Sequence, residues 1–292
     1  DTVQSGQAAS AEVRFLDAAG AAATGFDVSQ VEFSTSNPSV GVVDATGTVS
    51  GRTPGRATLS VRLVPAWNAD RSAIADFVVV PGPFAGTASA TAGSSGDPVT
   101  YTSAATQPNW DADTELRIGG RLGFRLSTST ETDLRTEILW GLPAGPNEVL
   151  FLNVGPNQLA LATTFDVVAE ETSDDREPNN LFDGTPASVV SLPFEDILAV
   201  DASDLDDFFQ ITLLQETTLH LFLDWDLSVN EDMDLLVTDL AISQEVCGFA
   251  TATASHPEEA ECTLPAGSYF LWVNNFAEAG LTNYHILVEP VP

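Results

Sequence analysis

The sequence contains no lysine, and its ten basic residues are all arginine, against 42 aspartate and glutamate residues. The resulting net charge of −32 argues against binding to nucleic acid or to an anionic membrane surface. The lack of lysine also excludes Schiff-base and lysine-nucleophile chemistry, together with the Lys–Asn isopeptide cross-links of some surface fibres. No run of about 18 apolar residues is present, so we expect no membrane-spanning helix.

The negative charge is unevenly distributed, because residues 177–292 contain 21 acidic residues and no lysine or arginine. Carboxylates at this density without basic partners suggest bound divalent cations, an ion-rich medium, or both. A solvated acidic surface that only keeps the protein soluble is the alternative interpretation.

Motifs for catalysis or phosphate binding are absent from the sequence. His220, His256 and His285 are far apart, and none belongs to a His-Glu-x-x-His motif. The sequence also has no Gly-x-Ser-x-Gly turn, phosphate loop, dinucleotide fingerprint or zinc-spaced Cys/His cluster. We therefore expect a non-catalytic protein.

Apolar and polar residues alternate with a period of two along most of the chain, and no helical period is sustained. Arg56–Leu63, Leu219–Trp225 and Tyr284–Val288 each place apolar side chains on one face. Turn sequences such as Asp44–Gly47 and Pro265–Gly267 separate the short predicted strands. The pattern predicts an all-β fold of tandem β-sandwiches.

Two changes in composition divide the chain into three predicted domains. Pro81–Pro83 precedes the small-residue tract Ala85–Asp97, which is typical of a linker or an exposed edge. The acidic stretch Ala169–Asn180 has little that could be buried and gives the second boundary. The predicted domains are residues 1–83, 84–172 and 173–292, the middle one being a β-sandwich of unknown family.

The first predicted domain has the turn and core residues of a known family. The relevant segments are Val31–Val40, Val43–Gly51 and Thr53–Val61, in which Gly47 and Gly51 permit positive φ at hairpin ends. Together they resemble a bacterial immunoglobulin-like group 2 domain. The resemblance implies an immunoglobulin-like sandwich of the kind found in surface and adhesion proteins, where such domains are usually spacers.

The start of the chain predicts an assembly contact. In the immunoglobulin-like group a strand normally precedes the turn that Asp1–Gln4 continues, and here that strand is missing. A sandwich without an edge strand exposes unpaired N–H and C=O groups and invites a strand from another chain. We expect a homo-oligomer or filament through the edge of the 1–83 domain, the alternatives being a trimmed sequence or a gap filled by the same chain.

Residues 176–292 resemble a bacterial pre-peptidase C-terminal domain, which is a jelly-roll-like β-sandwich. The resemblance is carried by Arg176–Asn180, Asp204–Phe209, Asp232–Leu236, Pro265–Phe270 and Tyr284–Val288. Collagen-binding relatives of that family bind calcium in the corresponding regions. The resemblance therefore implies calcium as the cofactor, with these ligands: Glu177, Asn179, Asn180, Asp204 and Asp207.

Other uses of these polar residues remain open. The asparagines could cap turns and the aspartates could simply open a strand, and Asp206 is a weaker candidate ligand. Asp232 and Asp234 could form a second ion site, although a strand-opening turn is the preferred interpretation.

Cysteine and tryptophan give three further predictions. Cys247 and Cys262 form a disulfide if an antiparallel return brings them together, and are otherwise a buried thiol pair. Trp140 and Trp225 continue apolar strand patterns and are predicted to be core residues. Trp67 and Trp110 lie in loops rich in Pro, Asn and Asp and are predicted to be exposed.

These features predict a secreted, extracellular or cell-surface bacterial protein that acts as a structural or adhesive subunit. A surface polysaccharide or a protein is the expected ligand. The main alternative is an accessory substrate-binding region of a larger secreted hydrolase. A third is a soluble sugar- or peptide-binding protein with a concave, aromatic-lined pocket.

Overall fold

The computed structural model describes residues 2–14, 19–21, 30–64, 72–155, 158–171, 176, 179–229, 232–248, 256–277 and 280–292. Nearly all regular structure in these ranges is β-strand, with a turn of 3₁₀ helix at Leu181–Asp183. The described helical structure includes no segment of the length and apolar character needed to cross a membrane. The predicted all-β fold of tandem sandwiches is confirmed.

The first sandwich, here called the N-terminal sandwich, packs two sheets over a small aliphatic core. Its strands are β1 (Thr2–Gln4), β2 (Ala8–Ser10), β3 (Val31–Thr35), β4 (Gly41–Val43), β5 (Thr48–Gly51), β6 (Gly55–Leu63) and β7 (Ser72–Val80). One sheet has the order β1-β7-β6-β3 and the other β2-β5-β4. Ala57 and Leu59 alternate into the core as their period predicts, and they meet Phe77 and Val79 there.

The prediction that the edge of this sandwich lacks a strand is wrong, because Thr2–Gln4 is itself the edge strand β1. β1 pairs in parallel with β7, with Thr2 opposite Val78, and β2 pairs with β5, with Ala8 opposite Ser50. The chain's own first residues therefore line an edge of each sheet, which removes the reason for expecting strand exchange at this place. The strand escaped the sequence pattern because it is short and only Val3 enters the core from it.

The middle sandwich has a core rich in aromatic side chains. Its strands are β8 (Gly82–Pro83), β9 (Thr87–Ala88), β10 (Ala92–Gly93), β11 (Pro98–Thr102), β12 (Glu115–Ile118), β13 (Arg121–Gly123), β14 (Asp133–Glu137), β15 (Gly145–Val154) and β16 (Leu159–Val167). One sheet has the order β10-β16-β15-β12-β13, with β8 also on β16, and the other has the order β14-β11-β9. The small-residue tract after Pro83 thus supplies edge strands and is not a linker.

Trp110 corrects the prediction of exposed loop tryptophans. It is 1% exposed, and its indole N–H lies 3.0 Å from the Tyr101 carbonyl oxygen. Its ring packs on Phe84 and Phe151, at centroid distances of 5.8 and 4.8 Å. The loop folds inward because burying this ring removes a large apolar area from water while its N–H keeps an acceptor. Trp67 lies outside the described residues.

The C-terminal sandwich has the largest of the three cores. Its strands are β17 (Ser188–Val189), β18 (Phe194–Val200), β19 (Asp206–Leu213), β20 (Thr217–Trp225), β21 (Asp234–Thr238), β22 (Glu245–Gly248), β23 (Glu258–Leu264), β24 (Gly267–Asn274) and β25 (Thr282–Pro290). One sheet has the order β17-β19-β24-β21-β22 and the other β18-β25-β20-β23. Trp225 lies in this core, as its strand pattern predicted.

Cys247 and Cys262 are joined in a disulfide, with their Cα atoms 6.1 Å apart. The predicted route to it was an antiparallel return, but β22 and β23 are edge strands of the two opposing sheets. The bond therefore ties one sheet to the other along the open side of the sandwich.

The middle and C-terminal sandwiches meet through a buried tryptophan. The Trp140 backbone N–H donates to Asn283 Oδ1 at 2.7 Å, and Asn283 Nδ2 donates to the Trp140 carbonyl at 3.1 Å. The Trp140 indole N–H donates to the Ile197 carbonyl at 3.2 Å. Beside them, Glu195 accepts hydrogen bonds from the backbone N–H and hydroxyl of Ser127. The predicted core role of Trp140 is confirmed, and its place is the joint between two sandwiches.

Candidate functional site

Acidic side chains collect where several strands of the C-terminal sandwich begin or end at one side of the molecule. The antiparallel register places Asp206, at the start of β19, and Asp234, at the start of β21, opposite Asn274 at the end of β24. Glu258 begins β23 opposite Leu223, near the end of β20. We call this region the acidic end, and its members are Asp204, Asp206, Asp207, Asp234 and Glu258.

The two sequence segments predicted to bind calcium meet at the acidic end. Asn180 Nδ2 donates to Asp204 Oδ1 at 3.2 Å, although the residues are separated by 24 positions. Asn180 Oδ1 accepts the backbone N–H of Phe182 at 2.9 Å and so caps the 3₁₀ helix. The turn-capping role, considered as the alternative for this asparagine, is present in the structure.

Asn179 and Asp207 are fully buried beside this contact. Asp207 faces the interior because β19 alternates, and its Oδ2 accepts a hydrogen bond from the Tyr284 hydroxyl. Asp206 faces outward, where its Oδ1 accepts from Trp272 Nε1 at 2.7 Å and from Asn274 Nδ2 at 2.6 Å. Asp206 and Asp207 therefore point to different sides of the sheet.

The fit of these residues to calcium is partial. Asp204 and Asp207 offer carboxylate oxygens and Asn179 an amide oxygen, which are the donors calcium takes. Asn180 Oδ1 is engaged as a cap, and Glu177 lies outside the described residues. In the described ranges, no group of three or more His, Cys, Asp or Glu side chains is arranged to hold a metal ion. The calcium site stays a prediction.

Asp234 and Glu258 form a second group of carboxylates, of which the sequence pattern indicated Asp234 and not Glu258. Burial, together with the charges of Asp232 and Glu245, raises the pKa of Asp234 to about 6. Burial, then the charge of Asp234, raises the pKa of Glu258 to about 8, against the effect of a hydrogen bond from the Leu235 backbone N–H. The charge of Asp234 therefore makes the Glu258 carboxyl group harder to ionise.

Arg176, the last basic residue in the chain, has a structural role. Its guanidinium reaches Asp196 Oδ2 with a closest distance of 2.6 Å and lies over the ring of Phe194, 5.5 Å from the centroid. The arginine therefore neutralises a carboxylate away from Asp204 and Asp207.

The three histidines lie in three different places, and each faces an acidic side chain. His220 Nε2 is 2.8 Å from Glu259 Oε1, and His256 Nε2 is 2.8 Å from Asp224 Oδ1. His285, which is nearly buried, lies 2.9 Å from Glu195 Oε1 at the joint between the sandwiches.

An aromatic surface borders the acidic end on the outer face of the β19 and β24 sheet. Phe182, which is 59% exposed, meets Phe208 and Trp272 edge to face at centroid distances of 5.2 and 5.4 Å. Trp272 stacks on Phe208 with an angle of 16° between the rings. Phe182 lies two positions after Asn180, in the 3₁₀ helix that Asn180 caps. The sequence analysis did not identify this surface, because its rings come from three separate segments.

The middle sandwich has an open depression of about 730 Å³ lined by Pro108–Ala112, Arg125–Ser127, Ser129, Glu131 and Gly155. Trp110 belongs to this lining, but its ring is turned into the core. The depression therefore lacks the exposed aromatic face that a sugar-binding cleft would use.

Comparison with known families identifies the first sandwich. Residues 9–62 match the model of the bacterial Ig-like domain (group 2), which confirms the resemblance seen in residues 31–61. This match spans a minor part of the chain and is not to an enzyme family. No curated protein sequence matches this chain.

Three similar solved structures share little sequence identity with this chain. The pre-peptidase C-terminal domain of collagenase from Bacillus anthracis aligns over its whole length with 39% of this chain, at 13% identity and a TM-score of 0.32. Domains 4 and 5 of the S-layer protein SbsC align over 80% of their length with 53% of this chain, at 17% identity and a TM-score of 0.21. A Bacteroides ovatus glucan-utilization protein, SGBP-B, solved with a mixed-linkage heptasaccharide, aligns at 9% identity over 87% of this chain, covering 89% of its own, with a TM-score of 0.22.

Proposed function

We propose that this chain belongs to a non-catalytic, extracellular bacterial surface protein and acts as a structural or adhesive subunit. Its N-terminal and middle sandwiches are the stem, and its C-terminal sandwich is a calcium-dependent binding module. The observation that carries this proposal is the contact between the Asn180 turn and Asp204, directly beside the exposed Phe182. The bacterial Ig-like match of the first sandwich supports the surface location.

Calcium at the Asn180–Asp204 contact would be held by Asp204, Asp207 and Asn179. Glu177 and Asn180 complete the ligand set that the family resemblance implies. A cation there offsets carboxylate charge in a segment, residues 177–292, that has no lysine or arginine. The calcium supplies charge and cross-linking only, because no reacting group accompanies it.

The position of the turn links calcium to the aromatic surface. Asn180 caps the 3₁₀ helix that carries Phe182, and that ring packs on Phe208 and Trp272. A cation that fixes the turn also fixes the orientation of the exposed ring. Calcium therefore preorganises the surface and lowers the entropic cost of binding a ligand there.

We propose a neutral surface polysaccharide as the ligand of this aromatic surface. Flat, partly exposed rings stack on sugar faces, and Phe182 and Trp272 form an edge-to-face pair with one exposed ring. The net charge of −32 disfavours anionic polymers, which excludes acidic glycans as the preferred class.

The calcium part of the proposal is tested with Asp204→Asn in the full chain. Titration of calcium chloride by calorimetry should show binding at millimolar concentration or below in the unaltered protein and a raised Tm. The variant should lose at least tenfold in affinity at this site. Glu216→Gln, an exposed carboxylate between β19 and β20, is the matched control and should behave as the parent.

The ligand part is tested by sedimentation with insoluble neutral polysaccharides in calcium and in EDTA. Phe182→Ala should weaken binding several-fold at unchanged Tm, because the ring is largely exposed. Leu214→Ala, which removes a 93% exposed apolar side chain just after β19, is the control. Equal binding by both variants and the parent would refute the aromatic surface as the binding site, whatever the calcium result.

A further inference from the structure

The acidic end contains a second pair of carboxylates, Asp234 and Glu258, in addition to those of the predicted calcium site. Asp234 begins β21 in one sheet and Glu258 begins β23 in the other, so the two carboxylates come from opposing sheets. We propose that a divalent cation, calcium by the chemistry of its ligands, binds between Asp234 and Glu258. Its two carboxylates are not among the ligands predicted for the Asn179–Asp207 site.

Burial and hydrogen bonding point to a ligand at this place. Asp234 is 6% exposed and Glu258 is 1% exposed. Asp234 Oδ1 and Glu258 Oε2 are both buried and have no hydrogen-bond partner within the described part of the chain. Buried carboxylate oxygens without partners are costly, and a bound cation satisfies both of them.

Residues 177–292 offer Asp234 and Glu258 no basic side chain that could take the place of the cation. Residues 177–292 contain no lysine or arginine. The three histidines face Glu259, Asp224 and Glu195, respectively. Basic side chains of residues 177–292 therefore do not compensate Asp234 and Glu258, whereas a cation from solution would do so when both are ionised.

The surroundings add to the negative charge. Asp232 lies two positions before Asp234, and the charges of both residues act on Glu258. Glu245, at the start of the edge strand β22, acts in the same way on Asp234. The Leu235 backbone N–H donates to the Glu258 carboxylate, which anchors that side chain at the start of β21.

Calcium fits this donor set better than a transition metal. All the donors are carboxylate oxygens, and calcium completes a coordination shell of six to eight with carbonyl oxygens and water. Because only two buried carboxylates take part, the affinity is expected to be in the range of extracellular calcium modules, about 10⁻⁴ to 10⁻³ M. The alternative occupant is a proton, since the pKa of Glu258 is raised to about 8.

The test uses the full chain, freed of metal with EDTA and titrated with calcium chloride by calorimetry, with Tm measured in parallel. Glu258→Gln keeps the shape of the side chain and removes its charge, and it should lose one equivalent of bound calcium. Glu261→Gln lies on the same strand with an exposed side chain and should keep every equivalent. Asp204→Asn should lose a different equivalent, so failure of one site is distinguishable from failure of the other.

A second variant distinguishes loss of the cation site from misfolding of Glu258→Gln. Asp234→Asn should lose the same equivalent as Glu258→Gln, and the double variant should lose no more than either. If both single variants are folded by circular dichroism and bind calcium as the parent does, the site is refuted. If the pair holds a proton instead, both variants bind calcium normally and melt higher than the parent in EDTA, which also overturns the proposal.

Discussion

Replacing Asn283 by alanine tests whether the middle and C-terminal sandwiches unfold together. Asn283 is 3% exposed and makes two hydrogen bonds to the backbone of Trp140. In Asn283→Ala the Trp140 N–H loses its acceptor, whereas the Trp140 carbonyl keeps the Arg121 guanidinium at 3.0 Å. One buried donor left without a partner costs about 1–3 kcal/mol, and the small cavity adds to this.

We therefore expect a loss of about 2–3 kcal/mol in the free energy of unfolding. For about 200 residues unfolding together, this corresponds to a fall in Tm of roughly 4–12 °C. Differential scanning calorimetry of the full chain is the assay, and both sandwiches should shift as one transition. Asn109→Ala, an exposed asparagine in the middle sandwich, is the control and should change stability by less than about 0.5 kcal/mol.

The reasoning is refuted by either of two results. An Asn283→Ala variant as stable as the Asn109→Ala control would mean that the reciprocal hydrogen bonds contribute nothing. A shift confined to one of two separate transitions would mean that the two sandwiches are thermodynamically independent, in spite of their buried contact.

Three further predictions concern stability. Replacing Cys247 and Cys262 by serine should cost about 3 kcal/mol relative to the disulfide-bonded parent, measured by urea unfolding, because the disulfide closes a loop of 15 residues; the reduced parent should be about as unstable as the variant. Burial alone would raise the pKa of Glu195, but hydrogen bonds from His285 and Ser127 outweigh it and lower the pKa. The ionised Glu195 therefore stabilises the folded protein above about pH 4.5, and this contribution is lost as the pH falls through the folded-state pKa. The Tm difference between the parent and Glu195→Gln should accordingly vanish at low pH. Gly47→Ala should destabilise the N-terminal sandwich by about 1–3 kcal/mol in chemical unfolding, because φ is +83° and the added carbon would lie 2.8 Å from a phenylalanine ring; an unchanged midpoint would contradict this.

The alternation of apolar residues was enough to predict the fold class and the cores, because the alternation within a strand shows which of its side chains face inward. Leu219, Leu221 and Leu223 all lie in the core of the C-terminal sandwich, as their spacing predicts. Strands that contribute few side chains to the core cannot be predicted from this alternation. β1 is such a strand, with Val3 alone entering the core, and its absence from the prediction made the edge of the first sheet look unoccupied.

The candidate site was only partly predictable, because its parts are brought together by pairing between distant segments. The sequence placed Asp204 and Asn180 in separate candidate motifs, and only the fold puts them 3.2 Å apart. Glu258 lies in a run of acidic residues that looks solvated, and its burial depends on the edge position of β23 beside the start of β21. Trp110 was misjudged for the same reason, since the rings that cover it come from other strands.

The joints on both sides of the middle sandwich have a mechanical consequence. At the joint with the N-terminal sandwich, Ser5 Oγ accepts the Ala160 N–H at 2.8 Å, and β8, which follows β7 in the chain, pairs with β16. At the joint with the C-terminal sandwich, Trp140 and Asn283 form buried hydrogen bonds. Bending at either joint requires breaking these buried hydrogen bonds, so each joint resists flexing and the three sandwiches are expected to move together under load.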